Sequence, residues 1–416
     1  MSSSKNTKVI TACRSCFSKQ LIPIFSLGKL CISNFIDLPR AREIKMPLEL
    51  VLCKSCWLLQ LKHTISQEQL YRNYWYRSGV NKTMREELAG ISSRAPKLVD
   101  LNRGDFVLDI GSNDSTLLLS YKRKGLRLVG FEPARNLMSL ARAKGADIIN
   151  DFFNYEAWRK KFGKAKAKII TAIAMFYDLD NPNKFVADAR KCLDEKGVFI
   201  IQMSYLPSML QQNDFSNICH EHLEYYSLTS LKNLLYRHGL EVFDAELNDI
   251  NGGSFRIYIQ HKGCRPISNR VRKLEEFEKG LGLSSKKPYK EFISRILAER
   301  ERLNSFIKSE AERGKDVYVY GASTKGNTIL QFCNLKYPLI KAAADRNPMK
   351  WGKKTVATLI PIISEEQARK ERPDYFLVLP WHFLKEFITR EKKYLESGGK
   401  FIIPLPNFKI ISREDL

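Results

Sequence analysis

Residues Asn217 to Leu228 read NICHEHLEYYSL, so two of the chain's six histidines flank a glutamate, with two tyrosines close behind. A neutral imidazole is a usable base near neutral pH, because its unperturbed pKa is about 6.5. In an extended segment His220 and His222 share one face and Glu221 points the other way. Three uses stay open for such a triplet. It can do acid–base chemistry, it can ligate a metal if a third ligand arrives from elsewhere, or it can pack polar groups ahead of a helix. The helical pattern SLTSLKNLLYRHGL follows at once, with Ser227 or Thr229 as its cap.

A second chemical feature lies near the start, where CRSC supplies Cys13 and Cys16 and CKSC supplies Cys53 and Cys56. Two thiolate pairs on tight turns offer four soft ligands in tetrahedral geometry, the donor set of a closed structural zinc site. A thioredoxin-like redox motif is single and opens a helix, whereas these pairs sit among Pro and β-forming residues. Cys31, between the pairs, reads as a small buried apolar residue.

The elements that must position such groups start at Asp105. DFVLDIGSNDS is a short apolar strand, Phe106 to Ile110, ending in a glycine turn, and a helical pattern leads to a second strand, Arg127 to Phe131, ending at Glu132. In this βαβ unit Gly111 lets the backbone approach a ligand, and an acid at the second strand's end can accept bonds from two ribose hydroxyls. The fingerprint G-x-G-x-x-G is absent, since Gly111 is followed by Ser112, Asn113, Asp114 and Ser115. Asp109 before the turn instead resembles the class I methyltransferase signature, in which the acid lies near the amino-acid end of S-adenosylmethionine. KIITAIAMFYDLDNP and GVFIIQMSY extend the sheet, so Met175, Phe176 and Tyr177 stand at a strand end, where they touch a cofactor or fill the core.

A second Rossmann-like sheet is predicted after an amphipathic connecting helix in 274–313. DVYVYGASTKGNTILQF is strand, glycine turn and helix, LIKAAADRNP ends in Asp345, and YFLVLPW and KFIIPLP add two strands. The turn comes close to a phosphate loop, but Asn327 stands where the phosphate-reaching lysine is required. NTP hydrolysis is therefore disfavoured, while the helix start with Ser323 and Lys325 can hold a diphosphate. NGGSFR, with Asn251, Ser254 and Arg256, is another candidate wall for a sugar or phosphate.

The whole chain has 416 residues, 44% hydrophobic and 27% charged, which predicts a globular protein of two or three domains. Its first forty residues lack a secretory pattern, and no apolar run approaches bilayer length, so a cytoplasmic location without membrane partners is expected. The net charge of +24 is spread among acids, as in RKLEEFEKG, without a basic block or nucleic-acid motif. A zinc-bearing nucleic-acid-binding protein is accordingly the weakest of the functional alternatives, and no nucleic-acid partner is expected.

Taken in order, CRSC, CKSC, YRSGVNKTM, LDIGSNDS, GFEPA, HEHLEYYSL, NGGSFRIY, YGASTKGNT, DRNPMKWGK and LPWHF resemble a known family over nearly the whole chain. It is the zinc-containing, S-adenosylmethionine-dependent C-methyltransferases of nucleotide-linked 4-keto-deoxyhexoses. The resemblance implies an α/β fold in three parts: a zinc-binding domain (1–70), a class I Rossmann-like methyltransferase domain (71–265) and a Rossmann-like nucleotide-sugar domain (266–416). It further implies His222 as general base with Glu221 and His220 as positioning neighbours, and an active-site tyrosine at Tyr76. Cofactor contacts are expected from Asp109, Gly111, Asn113, Glu132 and Met175, and substrate contacts from Tyr76, Asn251, Ser254, Arg256, Ser323, Lys325 and Asp345. Cys13, Cys16, Cys53 and Cys56 are the expected ligands of a structural Zn2+. The expected reaction is methyl transfer to carbon, at C3 of an NDP-4-keto-6-deoxyhexose, and O- or N-methylation of a related sugar is the alternative. Three positions depart from the family pattern: Ser115 replaces a glycine, Cys219 a common tyrosine, and Val356–Ala357 a common Pro–Gly pair.

Overall fold

The structure, a computed structural model, describes residues 7–37, 44–138, 141 and 145–416. Near the N-terminus, strands Leu21–Cys31, Lys45–Cys53 and Leu59–Leu61 form an antiparallel meander. Its fourth strand, Glu224–Tyr225, comes from far along the chain and pairs with Leu59–Leu61. Both CxxC turns have the same build. The residue after each pair has left-handed backbone, Phe17 at φ 61° and Trp57 at φ 59°, and its amide donates to the first cysteine's carbonyl at 3.0 Å in both.

The central sheet has seven strands: β1 (Phe106–Ile110), β2 (Arg127–Phe131), β3 (Asp147–Ile149), β4 (Ala167–Ile173), β5 (Leu193–Ser204), β6 (Leu240–Asn248) and β7 (Ser254–His261). Their order is β3-β2-β1-β4-β5-β7-β6, with β7 antiparallel to both neighbours and the other pairings parallel. Strands β1 and β4 are apolar almost throughout because helices cover both faces. One covered face forms a core around Leu108, Ile170, Ile201 and Ile257, and the zinc-domain cysteines Cys13, Cys53 and Cys56 pack into that same cluster.

A second sheet takes β8 (Val317–Tyr320), β9 (Ala343–Asp345), β10 (Ile362–Ser364), β11 (Tyr375–Val378), β12 (Lys400–Ile403) and β13 (Lys409–Ile411) in the order β10-β9-β8-β11-β12-β13. The connecting helix expected over 274–313 is instead two helices, Asn269–Leu281 and Lys287–Glu312. Gly282, left-handed at φ 63°, closes the first. Apolar spacing continues across that break, so periodicity alone reads through it. Strand Lys354–Thr355 pairs with Phe35–Ile36 and ties this domain to the N-terminal one.

At the departure noted above, Ser115 has φ 65° and ψ 17°, left-handed values that strain a side chain. Its hydroxyl is buried and has no hydrogen-bond partner among the described residues. Ser115→Gly is therefore expected to raise the unfolding free energy by about 1 kcal/mol. A denaturant midpoint equal to or below that of the parent protein contradicts this account of the turn.

Candidate active site

In the N-terminal domain the four cysteine Sγ atoms lie within 4.8 Å of one another. Cys13 and Cys56 are 3.6 Å apart, and Cys16 and Cys53 are 3.5 Å apart. Tetrahedral zinc with Zn–S bonds of about 2.3 Å puts its sulfurs about 3.8 Å apart, so the donors fit the ion. Gln60 Nε2 donates to Cys13 Sγ at 3.2 Å, the outer-shell support a thiolate ligand needs.

A cavity of about 760 Å³ opens between the two Rossmann-like sheets, at the carboxyl ends of their strands. Asp109, Gly111, Asn113, Glu132 and Met175 line one end; Ser323, Lys325 and Asp345 line the other, and Tyr76, Tyr177, His222, Asn251 and His382 stand in its walls. Gly111 has φ 71°, and a Cβ there would lie 3.1 Å from Met175 Cγ, so a side chain would crowd the turn. The Glu132 carboxylate accepts the amides of Asn113 and Ala134, each at 2.7 Å, and keeps further lone pairs for a ligand. Burial pushes the Asp109 carboxyl up to about 7, against the opposing hydrogen bond from Thr171 at 2.6 Å.

The HEH segment is a turn, closed by His222 N–H donating to Cys219 O at 3.2 Å. The shared face expected for His220 and His222 therefore does not exist, because a turn rotates alternate side chains apart. His220 is buried and donates from Nε2 to Met46 O at 3.1 Å, on the zinc-domain meander and away from the cavity. His222 lines the cavity, and its Nδ1 lies 2.9 Å from Asn217 O. A carbonyl only accepts, so Nδ1 carries the hydrogen and Nε2 keeps its lone pair. Burial first, and the Lys325 cation second, lower this imidazole to about 3. Glu221 does not line the cavity; its carboxyl is buried and pushed up by burial, while its carbonyl accepts from Tyr71 Oη at 3.1 Å. Among the described residues, the four cysteines form the one cluster of three or more His, Cys, Asp or Glu placed to hold an ion. The metal reading of HEH thus has no third ligand there.

Two of the expected substrate-contact residues, Ser254 and Arg256, do not line this cavity. Ser254 donates to Ile250 O at 2.8 Å, and Arg256 is held by Glu87 at 2.5 Å and Gln202 at 2.7 Å beside a separate pocket. Both sit inside strand β7, which begins where the glycine pair suggested a binding loop. The glycines instead serve close approach: a Cβ on Gly252 would lie 3.0 Å from the Trp381 ring and 3.2 Å from Asp214. Asp345 lines the cavity with both oxygens engaged, by Asn347 N at 2.8 Å and Lys350 Nζ at 3.1 Å.

Asp178 and His382 also line the cavity and were not singled out from the sequence. Asp178 follows β4 and His382 follows β11, so the strand-end rule that pointed to Met175 applies to both. Burial, then the charge of Glu221, raises Asp178 well above the usual carboxylate range, and burial, then Lys325, lowers His382 to about 3.

Comparison with known proteins adds three consecutive family matches. A zinc binding domain covers residues 13–71, a methyltransferase domain covers 80–245, and a C-methyltransferase C-terminal domain covers 249–406. The C-methyltransferase NovU of Streptomyces niveus is 30% identical over 410 residues, 97% of this chain and 98% of NovU. Among solved structures, the CcbJ methyltransferase of Streptomyces caelestis matches 45% of this chain and 100% of its own at 13% identity and TM-score 0.35. Magnesium protoporphyrin IX methyltransferase of Synechocystis with bound S-adenosylmethionine matches 43% and 84% at 10% identity and TM-score 0.33. The domain matches run in the order of the observed architecture, and the full-length relative spans all three parts. The chain belongs to the zinc-binding, S-adenosylmethionine-dependent C-methyltransferases.

Proposed function

We propose that this enzyme methylates a ring carbon, C3, of a nucleotide-linked 4-keto-6-deoxyhexose after His222 removes the proton next to the ketone. The observation that carries the reading is the His222 imidazole: neutral, oriented through Nδ1 by Asn217 O, with the Nε2 lone pair unclaimed among the described residues in a cavity shared by two Rossmann-like sheets. Methyl transfer to carbon needs a carbanion equivalent, and a C–H beside a ketone supplies one to a positioned base. Bound S-adenosylmethionine supplies the electrophilic sulfonium methyl. On this reading Asp109, Gly111, Asn113, Glu132 and Met175 hold it, with Glu132 on the ribose and Asp109 near the amino-acid end. Tyr76, Asn251 and Ser323 contact the nucleotide sugar, and the functional units follow the divisions 1–70, 71–265 and 266–416. A branched sugar for a glycan or a glycosylated metabolite is the product class.

Incubating the enzyme with S-adenosylmethionine and a panel of TDP- and GDP-linked 4-keto-6-deoxyhexoses is expected to give a product heavier by one methylene, with the new carbon bonded to ring carbon by NMR. Methyl on oxygen or nitrogen favours the alternative transferase instead.

Cofactor binding has a pH signature on the same reading. Asp109, near 7 in the free enzyme, is about half protonated at neutral pH, and a bound cation beside it favours the carboxylate. S-adenosylmethionine binding is then expected to release protons near pH 7 and to weaken as pH falls below that value. Calorimetry in buffers of different ionisation enthalpy measures the release. Asp109→Asn should abolish it, and equal heats in all buffers for the parent enzyme rule the coupling out.

A further inference from the structure

Lys325, expected beside a diphosphate, lines the same cavity as His222 and acts on that imidazole by its charge. The helix that carries it, Thr324–Phe332, packs on the Phe215–Asn217 turn, with the Phe215 and Phe332 rings 5.2 Å apart. That turn ends in the Asn217 carbonyl that orients His222. Further bonds fix the helix start: Thr324 O accepts from Ser33 Oγ at 2.9 Å, and Ser323 Oγ caps Gly326 N–H at 2.9 Å. Lys325 lines the cavity, but its Nζ is buried and has no hydrogen-bond partner among the described residues. An ammonium carries three donors, and leaving them all unmet in a buried position is costly unless a ligand arrives to accept. The groups that feel this cation are His222, His382, Asp214 and Cys219, all in the HEH loop or in the loops facing it.

We propose that the Lys325 ammonium binds the substrate's ketone oxygen and stabilises the enolate that His222 generates, an inference that rests on the functional reading above. In the step, the C–H bond next to the ketone breaks and its proton passes to His222 Nε2. The bonding pair becomes the C=C double bond, and the carbonyl π pair moves onto oxygen. No oxidant or reductant is involved. Charge decides why both groups are needed. An imidazolium facing an ammonium is unfavourable, which is one reason His222 is held so far below its usual value. Between them, the enolate oxygen gives the sequence plus, minus, plus, so each cation is satisfied only when the anion forms. A donor aimed at charge that develops in the transition state acts on rate more than on binding.

The test compares the parent enzyme with Lys325→Met and Lys325→Arg, without cofactor, in D2O. Deuterium exchange next to the ketone is read at saturating TDP- and GDP-linked 4-keto-6-deoxyhexose, and calorimetry gives the affinities for TDP, GDP and S-adenosylmethionine. Lys325→Met is expected to lose about 10²–10³ in exchange rate at saturation. Its nucleoside diphosphate and cofactor affinities should stay within about threefold, with partial rescue in Lys325→Arg. Retained cofactor affinity also shows that the variant is folded. A Lys325→Met enzyme that exchanges normally at saturation but binds TDP and GDP tenfold more weakly overturns the inference and returns Lys325 to the diphosphate. If the parent enzyme exchanges no proton from any of these sugars, the functional reading fails and this inference falls with it.

Discussion

Replacing His222 with asparagine is expected to lower solvent deuterium exchange next to the ketone by about 10³, within the usual span for a positioned general base. Asparagine is a suitable probe because its amide can still donate to Asn217 O, the bond that orients the imidazole, while removing the basic Nε2. S-adenosylmethionine affinity should change by less than about twofold, since His222 acts on the sugar on this reading. The pH profile provides a second measurement. With the free-enzyme imidazole held near 3, only about 1% is protonated at pH 5. The exchange kcat/KM is thus expected to stay flat from pH 8 to pH 5 as far as His222 is concerned. An inflection near 6.5 that disappears in His222→Asn would show a solvated histidine and remove the burial argument. Undiminished exchange in His222→Asn would remove the residue from the base role altogether.

The second large effect concerns zinc. The second cysteine pair leads within three residues into strand Leu59–Leu61, which pairs with Glu224–Tyr225, two residues beyond His222. Leu61 N–H also donates to Leu223 O at 2.9 Å, and Met46 O holds His220. The HEH turn is thus pinned on one side by the zinc-domain meander. Structural zinc supplies folding free energy to small domains directly. Cys53→Ala, or chelation of the metal, is therefore expected to lower exchange by at least about 10². S-adenosylmethionine affinity should fall much less than exchange, because the cysteines meet β1 through a shared core while the glycine turn itself is bonded to Phe131 and Glu132 of the central sheet. A metal-free enzyme with full exchange would show that the meander keeps its shape without the ion.

Much of this architecture is readable from residue pattern, and the failures have physical causes. The strands Phe106–Ile110 and Arg127–Phe131 are legible because each is a short, mainly apolar run closed by a turn or an acid, the first buried throughout and the second from Val129 onward. Strands β10 and β13 went unnoticed, since three residues carry too little periodicity to register. In the candidate site, strand-end logic found the glycine turn and its acids. It was applied too narrowly to reach Asp178 and His382. His220 misled because alternation is informative only when the backbone is extended, and the local turn is held by tertiary bonds to Met46 and Tyr71. Ser254 and Arg256 show a different effect: a glycine pair signals close approach, and here Gly252 approaches the Trp381 ring and Gly253 approaches Ser208 and Gln212. A lysine without an acceptor among the described residues, as at Lys325, cannot be recognised from spacing, because a missing partner is a property of three-dimensional neighbours.

The pairing of Leu59–Leu61 with Glu224–Tyr225 also bears on how such a chain can be assembled and recombined. Some 160 residues separate the two segments, so the meander keeps an open apolar edge until the ribosome has delivered most of the central domain. An isolated fragment 1–70 would carry that edge permanently and be prone to self-association. The N-terminal part is therefore not an interchangeable cassette. Grafting it onto another methyltransferase succeeds only if the recipient supplies its own fourth strand, which makes the two regions a unit of inheritance despite their distance in sequence.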